Sequence, residues 1–246
     1  NTYDFELDQV YMQQVFQDLR NGKLSLMNVP LPKIKDNQIL VSSICSLISP
    51  GTEGMLINFG KSNYIQKVKQ QPEKMKDVIN KIASDGLLET YDAVKNKLET
   101  PFPLGYSNVG YVLEVGKSVK GFKVGDRVAS NGPHAEIFVV NQNLCALIPK
   151  EVSSEEAAFT VLASIGLQGI RLLLPTYGET FLVSGLGLIG LLTSQILISQ
   201  GCRVLGVDID KTKCAIAESF GVDTFNISEN NDQVNWVLNK TNNIGV

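Results

Sequence analysis

Three glycines in the run Val183-Ser184-Gly185-Leu186-Gly187-Leu188-Ile189-Gly190 constrain this chain more than any other feature. Their G-x-G-x-x-G spacing is weak alone. Here a β-branched apolar run over 179–184 predicts a strand before it, and the pattern over 188–200 predicts a helix after it. An acid, Asp208, ends the next predicted strand, 203–208. In that setting Gly185 permits a tight turn, Gly187 has no side chain to hold an anion off the backbone, and Gly190 lets the helix pack closely on the strand. Leu188 and Ile189 begin the helix, where unpaired N–H groups and the positive dipole end favour a phosphate.

Asp208 is placed to accept hydrogen bonds from both ribose hydroxyls of an adenosine, and its charge opposes a 2′-phosphate. NAD(H) is therefore expected over NADP(H). A helix over 211–220, a short strand over 223–227 and a helix over 232–239 continue the alternation, which is the βαβαβ rhythm of a doubly wound parallel sheet. A further helix is predicted over 154–174.

The chain before residue 150 has a different rhythm. Runs over 38–48, 108–115 and 134–140 read as strands, with a turn at Gly125-Asp126, and predict a small β-rich barrel. Residues 61–100 break that pattern with helical spacing at Met75, Val78, Ile79 and Ile82, which predicts an inserted helical pair. The expected domains are thus 12–150, with an insertion at 61–100, and 151–246. At 246 residues the chain is long enough for one or two domains at about 150 residues each.

Lys and Arg number 22 against 25 Asp and Glu, a net charge of -3 that favours neither nucleic acid nor an acidic membrane surface. The apolar stretch 186–198 is too short to span a bilayer and is interrupted by Gly187 and Gly190. Residues 1–11 lack the pattern of a signal peptide and read as an extension before Met12. Cys45, Cys145, Cys202 and Cys214 fit neither a CxxC zinc pattern nor a disulfide framework, which points to the reducing cytoplasm. With one histidine, His134, a metal site built from several imidazoles is excluded within these residues.

The run Gly121-Phe122-Lys123-Val124-Gly125-Asp126-Arg127-Val128, the glycine fingerprint and Asp208 together resemble the medium-chain dehydrogenase/reductase family. That resemblance implies a GroES-like barrel followed by a partial α/β Rossmann sheet, and it puts Lys213 near the adenosine ribose. The strings ISPGTEGMLINFGKS, PLGYSNVG, SNGPHAEIFVVNQNLCALIP and EEAAFTVLASIGLQGIRL are similar to the dehydrogenase part of bi-domain oxidoreductases of bacterial surface polysaccharide synthesis. There a second oxidoreductase domain of the glucose-fructose oxidoreductase type follows. The resemblance implies that this chain is an N-terminal piece, inactive alone, of such a protein.

Where zinc enzymes of the family carry Cys-Gly-Thr-Asp and Gly-His-Glu, this chain has Pro50-Gly51-Thr52-Glu53 and Gly105-Tyr106-Ser107. The run AFTVLASIGLQG offers no third ligand. No bound metal is expected, because a catalytic zinc takes about three protein ligands. Hydride transfer at a carbonyl then needs another donor at the oxygen. Thr52 matches the family's proton-relay hydroxyl, or caps a helix starting near Glu53. Tyr106 projects its phenol into the same site, or packs against the insertion. His134 acts as an acid or base, or lies at the surface. Glu53 reads as a helix cap or a polar contact, and Cys145 as packing rather than a nucleophile.

These readings favour a zinc-independent, NAD-dependent oxidoreductase acting on a sugar or sugar-nucleotide alcohol or carbonyl. A quinone or enone reductase and a non-catalytic nucleotide-binding module stay open. The expected partners are a small-molecule substrate, another copy of the chain in a homo-oligomer and a C-terminal oxidoreductase domain.

Overall fold

The computed structural model of the protein describes residues 11–61, 100–229 and 231–246. The expected helical pair over 61–100 lies outside the described residues beyond its first and last positions. Two compact units divide the chain, Asn1–Phe159 and Thr160–Val246.

In the first unit, β1 (Tyr11–Gln17) pairs antiparallel with β2 (Leu24–Pro30) and briefly with β4 (Phe102–Pro103). β1 already includes Tyr11, so the strand starts inside the residues read as an extension. A second sheet has the order β7-β3-β5-β6-β8, from β3 (Gln38–Ser46), β5 (Asn108–Val115), β6 (Arg127–Ser130), β7 (Ile137–Asn141) and β8 (Cys145–Leu147). Ile39, Val41, Val112, Val128, Phe138 and Val140 form one buried cluster, and Leu40 and Ile137, alternating with them along β3 and β7, join Met12 of β1 in another. The expected turn is present: Gly125 has φ +86° and the Asp126 carboxylate accepts from the Lys123 N–H at 2.8 Å.

The two sheets do not close into the expected barrel among the described residues. They meet at a single bridge, Gln14 to Ala135. The reason is local: the Ala135 N–H turns back to the Pro133 carbonyl at 3.0 Å, which bends the chain ahead of β7. Hydrogen bonds from the Val15 N–H to His134 O, 2.9 Å, and from the Glu136 N–H to Gln13 O, 3.0 Å, flank that bridge.

Register shifts between Leu40 and Val41 and between Ser43 and Cys45 bend β3 against β5, so Ser46 ends β3 opposite Asn108. The chain then enters α1 (Pro50–Lys61). The expected single helix over 154–174 is two helices, α2 (Ser154–Ala157) and, opening the second unit, α3 (Thr160–Leu173).

In the second unit, β9 (Thr180–Ser184), β10 (Arg203–Asp208) and β11 (Asp223–Asn226) pair in parallel in the order β11-β10-β9. They alternate with α4 (Leu188–Ser199) and α5 (Lys211–Ser219), and α6 (Gln233–Lys240) follows. Leu186, Leu197, Val204, Ala217 and Val222 belong to the core between sheet and helices. Asp223 ties β11 to its surroundings through Arg203 at 2.6 Å and Lys240 at 3.3 Å, and the Arg203 hydrogen bond is the main reason its carboxyl sits below the usual range.

Candidate functional site

In the second unit the loop between β9 and α4 is built around its glycines. Gly185 has φ +91°, a conformation that L side chains rarely adopt. A methyl group on Gly190 would overlap the Gly185 carbonyl oxygen, whereas one on Gly187 would meet nothing within 4 Å. The first constraint fixes the turn and the second leaves open space ahead of α4. Gly187 is the N-cap of that twelve-residue helix, and no side chain caps it. Bare N–H groups beside open space form an anion cradle. The residues therefore fit the pyrophosphate of a dinucleotide.

Asp208 is 8% exposed at the end of β10. One carboxylate oxygen accepts from the Leu186 N–H at 2.7 Å and the other from the Asp210 N–H at 2.9 Å. Burial alone would raise its pKa, but these backbone donors and the nearby Lys213 charge outweigh it and hold the group below the usual carboxylate range. With the Ile209 backbone also donating, three of the about four acceptor directions of the carboxylate are engaged, which leaves one for a ribose hydroxyl. Lys213 is half-buried on α5, with its Nζ 4.0 Å from the Asp210 carboxylate. The direct bond from Asp208 to the glycine loop is a role the sequence reading did not contain.

In the first unit, the Tyr106 hydroxyl donates to Thr52 Oγ1 at 3.3 Å. Thr52 is exposed and Tyr106 half-buried, so the pair faces solvent on one side. This pair can pass or donate one proton to a bound oxygen. Thr52 is not a cap: α1 begins at Pro50, and Glu53 reaches back to accept from the Ser49 N–H at 2.8 Å.

His134 does not lie at the surface. Its Nε2 lies 2.9 Å from Glu53 Oε2 and its Nδ1 2.8 Å from Ser46 Oγ. The His134 and Glu53 side chains are 11% and 6% exposed. Ser46 was not singled out by sequence, because it lies 88 residues from its partner. Nearby, Asn108 Nδ2 donates to the Pro133 carbonyl at 2.7 Å and fixes the turn that carries His134.

Burial pushes the Cys145 thiol up to about 11, which leaves little thiolate at neutral pH. Among the described residues no group of three or more His, Cys, Asp or Glu side chains is arranged to hold a metal ion. Among the same residues no helix is long and apolar enough to cross a membrane.

Residues 77–183 match the alcohol dehydrogenase GroES-like domain. The five-stranded sheet starts upstream of that span, at Gln38. An alcohol dehydrogenase of Moraxella sp. (strain TAE123) is 26% identical over 74% of this chain and 65% of the relative. Galactitol 1-phosphate 5-dehydrogenase of Escherichia coli (strain K12) is 30% identical over 67% of this chain and 57% of the relative. Among solved structures, galactitol-1-phosphate dehydrogenase from Escherichia coli aligns with a TM-score of 0.69 and 23% identity, covering 93% of this chain and 65% of that one. The Escherichia coli quinone oxidoreductase complexed with NADPH gives 0.66 and 20%, covering 94% and 63%. The chain thus spans 57% to 65% of the length of these relatives.

Proposed function

We propose that this chain, whose residues 77–183 match the alcohol dehydrogenase GroES-like domain, is part of a zinc-independent, NAD(H)-dependent oxidoreductase of the medium-chain dehydrogenase/reductase family acting on a sugar or sugar-nucleotide alcohol or carbonyl. The observation that carries this reading is the glycine cradle ahead of α4, rimmed by Asp208, in a chain with that domain. Gly185, Gly187, Leu188, Ile189 and Gly190 hold the pyrophosphate, and Asp208 with Lys213 holds the adenosine ribose. When bound, the nicotinamide supplies or accepts the hydride.

The protein's own part is the proton. Thr52 and Tyr106 stand where zinc enzymes of the family carry a relay hydroxyl and a metal ligand, and they form a two-hydroxyl chain. The Thr52 O–H donates to the substrate oxygen as charge develops there, the Tyr106 O–H replenishes it, and solvent on the open side of the pair returns the proton to the phenol. Zinc-independence rests on the donor set: the Pro50 side chain has no ligating atom, and a phenol at Tyr106 stands in place of an imidazole. The role in surface polysaccharide synthesis, in the cytoplasm of a bacterium and alongside a C-terminal oxidoreductase domain, rests on the resemblance of the strings quoted above. The polyol-phosphate substrate in one relative's name agrees with a sugar-like alcohol.

The test is a steady-state assay of the complete protein with NAD(H) and NADP(H) against polyols, sugar nucleotides, quinones and enones. Turnover of a sugar-type alcohol with NAD(H), lost in Tyr106→Phe and insensitive to chelator, supports the proposal. Turnover of quinones alone selects the reductase reading, and coenzyme binding without turnover selects the non-catalytic module. Stoichiometric zinc retained after chelator dialysis would reject zinc-independence.

A further inference from the structure

We infer that His134 is a positioning residue for the Thr52–Tyr106 hydroxyl pair, acting through the two backbones that carry them rather than through proton transfer of its own. The inference rests on the proposed role of that pair and assigns the element that sets its geometry.

Both ring nitrogens of His134 are occupied by protein groups, Ser46 Oγ at 2.8 Å and Glu53 Oε2 at 2.9 Å. A ring so engaged, with an 11% exposed side chain, has no nitrogen left for substrate. What it has is position. Glu53 follows Thr52 directly in α1, and its other carboxylate oxygen is pinned by the Ser49 N–H at 2.8 Å. On the opposite side, Gly105 precedes Tyr106 and has φ +92°. A Cβ at Gly105 would lie 2.5 Å from the His134 N and 2.6 Å from its Cγ, so the backbone before Tyr106 runs against the imidazole. The His134 N–H also donates to the Leu104 carbonyl at 2.8 Å.

His134 therefore holds the residue next to each hydroxyl, with Ser46 at the end of β3 as the third anchor. Ser46, His134 and Glu53 also match a nucleophile, base and acid by residue type. The backbone N–H after Ser46 argues against that chemistry, because Leu47 donates it to the Ser107 carbonyl at 2.9 Å and it is not aimed at a substrate oxyanion.

The experiment combines kinetics of the complete protein with side-chain NMR of the chain labelled with 15N-histidine. The resonance lost in His134→Gln identifies the ring. In the wild type one ring N–H should exchange slowly because Glu53 accepts it, and Glu53→Gln should shift that signal and speed its exchange. In His134→Gln, kcat should fall about 10²-fold, the loss expected of a misplacement near 1 Å, with KM for the coenzyme unchanged. The double variant His134→Gln/Tyr106→Phe should be no slower than Tyr106→Phe alone, because both act at one step.

Glu53→Gln is nearly isosteric, and its kcat serves if His134→Gln does not fold. Wild-type kcat in His134→Gln beside a slow Tyr106→Phe overturns the positioning role and leaves the hydroxyl reading standing. Wild-type kcat in both Tyr106→Phe and Thr52→Val overturns the hydroxyl reading, and the positioning role falls with it. A His134 ring proton that exchanges equally fast in wild type and Glu53→Gln also overturns it.

Discussion

At Gly190 a methyl group has nowhere to go, because the Gly185 carbonyl that it would strike is backbone and cannot rotate aside. Gly190→Ala should cost about 1–3 kcal/mol by overpacking and weaken coenzyme binding, as a melting curve and an NADH titration would report. Asp208 shows the electrostatic counterpart. Its folded pKa is depressed, so its contribution to stability is fully present above the unfolded value of about 3.9 and drains away as pH falls through the lower folded value. Asp208→Asn should lose about 1–3 kcal/mol near neutral pH, where an amide N–H₂ or a lost acceptor faces a buried donor. The gap to wild type should narrow below about pH 4, which urea midpoints across pH 3–7 would check. These two residues were legible in sequence because their constraints are local: steric at Gly190, and set by the end of a strand at Asp208. His134 was not, since its partners Ser46 and Glu53 lie 88 and 81 residues away and no local pattern announces them.

Among the elements, β9, α4, β10, α5 and β11 follow from the sequence because their hydrophobic period switches cleanly between strand and helix. The break between α2 and α3 does not. Ser107 Oγ donates to the Ala158 carbonyl at 2.6 Å from 51 residues away, at the point where the helical ladder is interrupted. The unclosed barrel was no more legible: Gly132-Pro133 signals a turn, but not that the Ala135 N–H folds back onto the Pro133 carbonyl ahead of β7. The helix starts are more predictable. Asp210 caps α5 by accepting from the Thr212 N–H at 2.8 Å, and Asp210→Ala should cost about 0.5–2 kcal/mol in thermal unfolding. The loss should exceed that of Asp210→Asn, which keeps the cap.

For the whole molecule, a coenzyme that binds only the folded second unit should raise its stability by about 2.7 kcal/mol at a hundred times Kd. Calorimetry with NAD should show the transition of that unit moving upward, and equal shifts with NADP at equal concentration would contradict the role given to Asp208. Only three parallel strands build this unit among the described residues, with the fingerprint strand β9 at one side. The same carboxylate that is proposed to discriminate between the coenzymes also anchors the turn that would bind either of them, through the Leu186 N–H. Coenzyme choice and loop integrity are thus inherited together. A lineage drifting toward a 2′-phosphate by losing this acid would first pass through a form with a slack phosphate turn, poor with both coenzymes. Redesign of the preference should therefore begin by giving the Leu186 N–H a new acceptor, and only then introduce the cation that welcomes the extra phosphate.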